Sequence, residues 1–566
     1  GTSGTGLWPR QAYYLTGKLG LLNAEKEWHY ESGTLYFWQP GGGSPSGTIE
    51  YKARNWGFDI RGRSGVQIIG LNFIGVDPVI GDASSTYALV EKTTAKFNNH
   101  IVRHDINWSN GGGVSYGMAR TFGTKLLGAN SVFKDNDWSF MASATLWLGP
   151  SCRAENNLIH DIGYAGGTGN AIMFWGQDGN QVVTRNTIYR LGRSAVDFHS
   201  TAGGSHTNIE FSYNHLYDYG MISGDVGATY AGAQANLSGL NYHHNWIHDS
   251  QARTDGGGGI FATYFDQASG GGTIHHNVYW NNYNADLYHE TTNEHRSTNT
   301  LFNIYNNTFA GTDMTNSANS SYRSYVTTPQ DVQRNNIYRR NMVVGWPSAP
   351  TKGNTSFHLP VTTNPVFVGS GTDGLAYRIQ STSPAVNAGT TIAGITDGSV
   401  GVPDIGAYEY NGEDWVPGYT EPSNDGSVND DEFTYSLNWT EYNNFKTGFY
   451  NNDVHVTTTL NSTAEYAFHG TQVEVVMEKC NNMGTARFEV LDGAVVVDTQ
   501  DVDLYVAAPG GSTEVCPTGA GSIETVFTSD VLAEDDYTIR VKLQTQNTGA
   551  TPSRQALVLD KIVVSP

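Results

Sequence analysis

The chain has 566 residues, 67 of them Gly, and 32 Lys and Arg against 54 Asp and Glu give a net charge of −22. This length exceeds one ordinary core and calls for two domains, one of them large. The acidity disfavours nucleic acid and anionic membranes as partners, and no run of 18 uninterrupted apolar residues exists to span a bilayer.

The start, Gly1-Thr2-Ser3-Gly4, has no Met and no basic-then-apolar leader. It suits a mature chain whose secretion signal has been removed. The expectation is a secreted or cell-surface monomer (periplasmic placement also fits), its acidity serving solubility. Of the three cysteines, Cys152 is isolated, whereas Cys480 and Cys516 share the C-terminal part and either pair there or stay as thiols. No C-x-x-C spacing is present, and nothing in the sequence indicates zinc or redox chemistry.

From residue 150 to 345 one phrase recurs: Asn157-Leu-Ile-His, Asn186-Thr-Ile-Tyr, Asn214-His-Leu-Tyr, Asn245-Trp-Ile-His, Asn277-Val-Tyr-Trp, Asn307-Thr-Phe-Ala and Asn335-Asn-Ile-Tyr. Successive copies start 29, 28, 31, 32, 30 and 28 residues apart, and weaker copies begin at Asn99 and Asn130. Each unit holds short β-rich runs and a turn, with no helical apolar period. Such a unit buries its apolar face only by stacking on its neighbours, with the repeated Asn as a hydrogen-bonded ladder. The pattern predicts an all-β chain: a right-handed parallel β-helix over 1–415.

Residues 411–430 gather Pro417, Gly418, Pro422, Gly426 and several acids, and 416–430 reads as a linker. Beyond it, alternating runs at Val473, Ala486 and Tyr537, with a turn at Asp492-Gly493, predict an antiparallel β-sandwich (jelly-roll) over 431–566.

Several stretches resemble known carbohydrate-active β-helix proteins. Glu27-Trp-His-Tyr-Glu-Ser-Gly looks like their N-terminal entry segment. Ser383-Pro-Ala-Val-Asn-Ala-Gly and Pro403-Asp-Ile-Gly-Ala-Tyr-Glu-Tyr look like their closing segment. Gly224-Asp-Val-Gly-Ala-Thr-Tyr, Asn245-Trp-Ile-His-Asp and Ala262-Thr-Tyr-Phe-Asp-Gln-Ala-Ser-Gly are similar to the core of β-helical glycoside hydrolases that include α-L-fucosidases, xylanases and endo-fucanases. Residues 430–566 resemble galactose-binding-like carbohydrate-binding modules. The resemblance implies a polysaccharide substrate, with an endo-acting α-L-fucanase on sulfated fucan (fucoidan) of brown algae as the leading expectation. It also implies a structural Ca²⁺ in the C-terminal module, at Asp431 or Glu432 with Asp560, where oxygen ligands would suit that ion. No cofactor is expected for catalysis.

Aligning one strand per rung gives Ile172-Met-Phe-Trp175, Val196-Asp-Phe-His199, Thr229-Tyr-Ala-Gly232, Thr263-Tyr-Phe-Asp266 and Leu287-Tyr-His-Glu290. Alternation sends the first and third places inward. Two outward columns remain: Met173, Asp197, Tyr230, Tyr264, Tyr288, and Trp175, His199, Gly232, Asp266, Glu290. Rings and acids on consecutive rungs suit sugar binding. Glycoside hydrolysis needs two carboxyl groups roughly 5–10 Å apart, one protonated and one ionised. Asp225 and Asp266, on neighbouring rungs, are the expected pair. Asp197 and Glu290 stand in reserve, and His199 is an assisting residue. Asp225 and Asp266 also fit simple turn positions.

His199, His289, His295, Arg296 and Arg323 are the expected contacts to substrate or its sulfates, beside Trp175, Tyr230, Tyr264, Tyr288 and Glu290. Two alternatives compete with a hydrolase. One is a lyase cleaving by β-elimination, which the absence of Lys between Lys134 and Lys352 disfavours. The other is a non-catalytic polysaccharide binder.

Overall fold

The computed structural model describes residues 18–98, 123–290, 301–344, 354–443, 453–505, 522–545 and 556–565, apart from short stretches within those spans. Contacts divide the chain into two compact units, one of 1–412 with Val416–Tyr419, the other of Glu413–Trp415 with Thr420–Pro566.

The first unit is a right-handed parallel β-helix. Three parallel sheets run its length, and each rung adds one short strand to each in turn. The first sheet has eleven strands, from Trp56–Asp59 to Asn341–Val344. The second has eleven, from Gln67–Ile69 to Asn354–Ser356, and the third has ten, from Asn72–Ile74 to Ile337–Tyr338. A hairpin of Trp28–Glu31 with Thr34–Phe37 lies in the N-terminal entry segment. Inward residues of all three sheets, among them Phe133, Ile159, Ile188, Leu216, Ile247 and Ile304, form one continuous apolar core.

The asparagines form the expected ladder, with a correction to its ends. The side-chain amide of Asn136 donates to Oδ1 of Asn157 at 2.9 Å. The same contact repeats through Asn186, Asn214, Asn245, Asn277 and Asn307 to Asn336, at 2.8–3.1 Å. Each Oδ1 also accepts the preceding asparagine's backbone amide, as Asn245 does from Asn214 at 2.8 Å. Neither Asn130 nor Asn335 is a rung of it. Asn335 is the residue before the rung, in the left-handed conformation (φ 56°) shared by Asp135, Asn156, Arg185, Tyr213, His244, His276 and Asn306 at the equivalent places. A turn residue with positive φ followed by a buried Asn is therefore the true repeat, and in Asn335-Asn336 both positions happen to be Asn. Asn99 lies outside the described residues.

The closing segment packs on the last rungs. Ala385 and Ile405 join Ile337, Leu359 and Ile379 in a small apolar cluster. Asn335 donates to the Thr390 carbonyl at 2.8 Å, so the final turn is satisfied by the segment that covers it. Part of the expected linker belongs to this unit as well, since the Gly418 amide donates to the Tyr213 carbonyl at 2.8 Å.

The second unit is a β-sandwich of two antiparallel sheets with its own core. Its strands include Gln472–Lys479, Thr485–Asp492, Asp535–Thr545 and Leu557–Ser565. Gly493 turns the chain at φ 55°. Cys152 is a free thiol buried in the helix core, 3.1 Å from the Gly128 carbonyl; Cys480 and Cys516 lie outside the described residues.

Replacing Asn245 by Ala strips buried partners from the Asn214 amides and from the carbonyls of Phe211 and His243. Each unmet buried group costs about 1–3 kcal/mol. Asn245→Ala is expected to lose about 3 kcal/mol in urea unfolding, whereas Asn303→Ala, on an exposed strand position, should stay within about 0.5 kcal/mol.

Candidate active site on the first sheet

Register in the first sheet follows the alignment of rungs. Met173 pairs with Asp197, Asp197 with Tyr230, Tyr230 with Tyr264, and Tyr264 with Tyr288. Arg323 takes the next register position after Tyr288. The first and third places line the core, as Ile172, Phe174, Val196, Phe198, Ala231, Phe265 and Leu287 do.

The tyrosine column does not form an open wall. Tyr230, Tyr264 and Tyr288 are only 6%, 5% and 7% exposed and cluster with Phe261 and Ala285. Tyr264 stacks on Tyr288 at 4.8 Å between ring centroids, and Tyr230 meets Tyr264 edge-on at 5.2 Å. The cause is spacing: rungs lie about 4.8 Å apart, near the ring-to-ring distance at which aromatics stack. Rings in register therefore satisfy one another, and the hydroxyls of Tyr230 and Tyr264 reach the acids. Met173 packs similarly with Ala144 and Trp147.

Asp225 and Asp266 occupy opposite ends of neighbouring strands, Val226–Ala231 and Ile260–Phe265. Two tyrosines connect them to one site. Tyr230 donates to Oδ2 of Asp266 at 3.0 Å, and Tyr264 donates to Oδ1 of Asp225 at 3.4 Å. The strand that follows Asp225 is crowded at Gly227. A Cβ on Gly227 would lie 2.4 Å from the Thr229 carbonyl and 2.9 Å from Cβ of Tyr264, so only glycine passes there. Asp225 itself takes φ 58°, a left-handed conformation that Asp tolerates better than most residues.

The electrostatics of the two acids are coupled. Asp225 keeps an open face to solvent, yet the surrounding protein desolvates its carboxyl and raises its pKa. The negative charge of Asp266 raises it further, while Arg193 and the Tyr264 hydroxyl pull it down. Desolvation and both carboxylates push the Tyr264 hydroxyl far above its usual range, so it stays protonated as a donor. Arg193 lies over the Tyr230 ring, 5.5 Å from its centroid. Nothing in the sequence pattern marks Arg193, because it precedes its strand in a turn, where alternation carries no information.

The reserve acids separate. Asp197 is 2% exposed and accepts from Nδ2 of Asn170 at 2.8 Å. Glu290 follows its strand at the level of Asp266, its amide bonded to the Phe265 carbonyl at 2.7 Å. His289 corrects an expectation. As a third-place residue it points into the core, fully buried, with Nδ1 2.8 Å from Oδ2 of the equally buried Asp331. It therefore does not face substrate. Trp175, His199, His295 and Arg296 lie outside the described residues, as do Asp431 and Glu432. Asp560 is 1% exposed on the last strand of the sandwich.

No family model matches the chain, and no curated protein matches it. Among solved structures, it is similar to a Paenibacillus xanthan lyase at 13% identity, covering 27% of this chain and 14% of that one, with TM-score 0.19. It is similar to pectate lyase Pel9A at 13% identity, over 57% and 88% of the two chains, with TM-score 0.29. The enzymatically active domain of bacteriophage CBA120 tailspike protein 4 shows 11% identity over 88% of this chain and 64% of that one, with TM-score 0.22. The chain thus spans only a seventh of the xanthan lyase.

A carboxyl whose pKa is raised on folding stabilises the fold fully below its unfolded pKa, and that contribution is lost as pH rises through the folded value. Asp225→Asn is therefore expected to raise the melting temperature at pH 7. The gain should vanish below the ordinary 3.8 of aspartate, where both states are protonated. Calorimetry at the two pH values checks it.

Proposed function

We propose that this protein is a polysaccharide-degrading enzyme, a glycoside hydrolase whose paired acids are Asp225 and Asp266. The observation that carries this reading is the pair of acids held by neighbouring tyrosines, Asp225 by Tyr264 and Asp266 by Tyr230, with the Asp225 carboxyl raised by partial desolvation and by the Asp266 charge. Paired titratable groups with divergent environments are how such sites divide acid and base roles. Asp225 protonates the departing glycosidic oxygen. Asp266, held by the Tyr230 hydroxyl, serves as the partner carboxylate on water or the sugar. Tyr264 is a positioning residue, donating to Asp225 while rigidly packed on Tyr288. Arg193 offers a cation for an anionic substituent on the sugar.

Sulfated α-L-fucan is the substrate we put forward, with xylan as the neutral comparison. Secretion, a monomeric state and a sandwich that binds carbohydrate belong to the same reading. No cofactor is needed for this chemistry. A Ca²⁺ ion in the sandwich would draw on Asp560.

One observation favours β-elimination as a second reading: Arg193 stands by the acid pair, and an arginine can take the proton beside a uronate carboxylate.

Incubation with fucoidan, xylan, pectate and xanthan distinguishes these outcomes. Hydrolysis yields reducing ends without the ultraviolet absorbance of an unsaturated uronate, whereas elimination yields both. On the substrate that is cut, Asp225→Asn and Asp266→Asn should each lower kcat by on the order of 10²–10⁴ with binding retained. Unchanged turnover in both variants would remove the pair from the mechanism.

A further inference from the structure

Two consecutive rungs carry a His-His pair directly before their ladder asparagines, His243-His244 before Asn245 and His275-His276 before Asn277. They lie at the end of strands Asn236–His243 and Gly270–His275 of the second sheet, whereas the acids belong to the first. Register places His243 beside His275, and their rings stack at 4.7 Å. His244 and His276, at φ 53° and 51°, stack at 5.0 Å. Within each pair the two Nδ1 atoms face each other, at 2.6 Å and 2.8 Å.

The outer nitrogens are tied down by a small network. Nε2 of His243 lies 2.6 Å from Oε1 of Glu210, and Nε2 of His275 lies 3.0 Å from Oδ1 of Asn241. Asn241 donates its own Nδ2 to Oε2 of Glu210 at 2.9 Å, which leaves its Oδ1 as the acceptor. His243 and His275 therefore carry their proton on Nε2 and present Nδ1 as a lone pair.

One ring nitrogen from each of His244, His275 and His276 lies within 4.8 Å of the others. Tetrahedral Zn–N bonds of roughly 2.0–2.1 Å hold nitrogens about 3.3 Å apart, so an ion bound here draws the three rings together. We propose that His244, His275 and His276 bind one divalent transition-metal ion of the zinc class, stapling two rungs of the β-helix. An all-imidazole set selects zinc, copper or nickel over calcium or magnesium. The Asn241–Glu210 network behind His275 supplies the outer contact that orients a metal-binding ring. Where a ligating nitrogen carries a proton, that proton moves through solvent to the ring's other nitrogen, so each ring stays neutral.

The test is calorimetric titration of the chelator-treated full chain with zinc chloride, with calcium chloride as comparison. One equivalent of zinc is expected to bind, calcium is not, and the melting temperature should rise with zinc concentration. Anomalous diffraction at the zinc edge should place the ion among the three rings. His275→Ala should abolish binding. Glu210→Gln, which leaves every ligand in place, should weaken it by about 10–100-fold. Absence of binding by the wild-type chain at submillimolar zinc overturns the proposal, whatever the variants do. So does an anomalous peak elsewhere, equal binding of calcium, or zinc affinity unchanged in both variants.

Discussion

The spacing of the rungs governs this molecule. Backbone hydrogen bonds of parallel strands fix successive rungs about 4.8 Å apart, and every side chain then meets the same position of the next rung. The Asn ladder adds a second set of bonds at the same repeat. Its amide groups join consecutive rungs from Asn136 to Asn336 while capping backbone carbonyls that the turn would otherwise orphan. A turn residue with positive φ before each Asn makes that geometry possible, and the chain accepts Asp, Arg, Tyr and His there as well as Asn. The ladder's bonds outweigh the strain of a left-handed non-glycine residue.

Columns of like residues follow from this spacing, and their chemistry depends on what is repeated. Apolar columns merge into one core. Aromatic columns stack on themselves, as Tyr264 does on Tyr288 and Tyr189 on Tyr217. Where such a column is also buried, as at Tyr264 and Tyr288, its rings are taken up by one another. Histidine columns stack likewise, His243 on His275 and His244 on His276, and keep ring nitrogens at their edges. The two acids sit at strand ends, Asp225 before its strand and Asp266 after the next.

The solenoid, its repeat, the register of five rungs and the sandwich strands were all legible in the sequence, because period and alternation are written in the order of residues. The ladder's phase was legible only to within one residue, since Asn335 and Asn336 compete for one position. Alternation alone places His289 inward, where it meets the buried Asp331, a partner from a later rung that the local sequence does not show. Arg193 and the close packing at Gly227 carry no periodic signal. The two His-His pairs are visible as letters, but their convergence follows from the register of stacked rungs, which also brings Glu210 and Asn241 to them.

The asymmetry between the two acids follows from the same frame. If both stood in one column at one depth, their environments would match and their protonation would be shared. Asp225 instead sits at a left-handed corner, with an open face and Arg193 near, whereas Asp266 is 8% exposed and closed over by the Tyr230 hydroxyl. Neighbouring tyrosines of one column lean to opposite ends of the strands, Tyr264 to Asp225 and Tyr230 to Asp266. Those rings also contact each other edge-on, at 5.2 Å between centroids. The rigid column thus fixes the relative placement of two carboxyl groups that the backbone alone would leave at opposite ends of their strands.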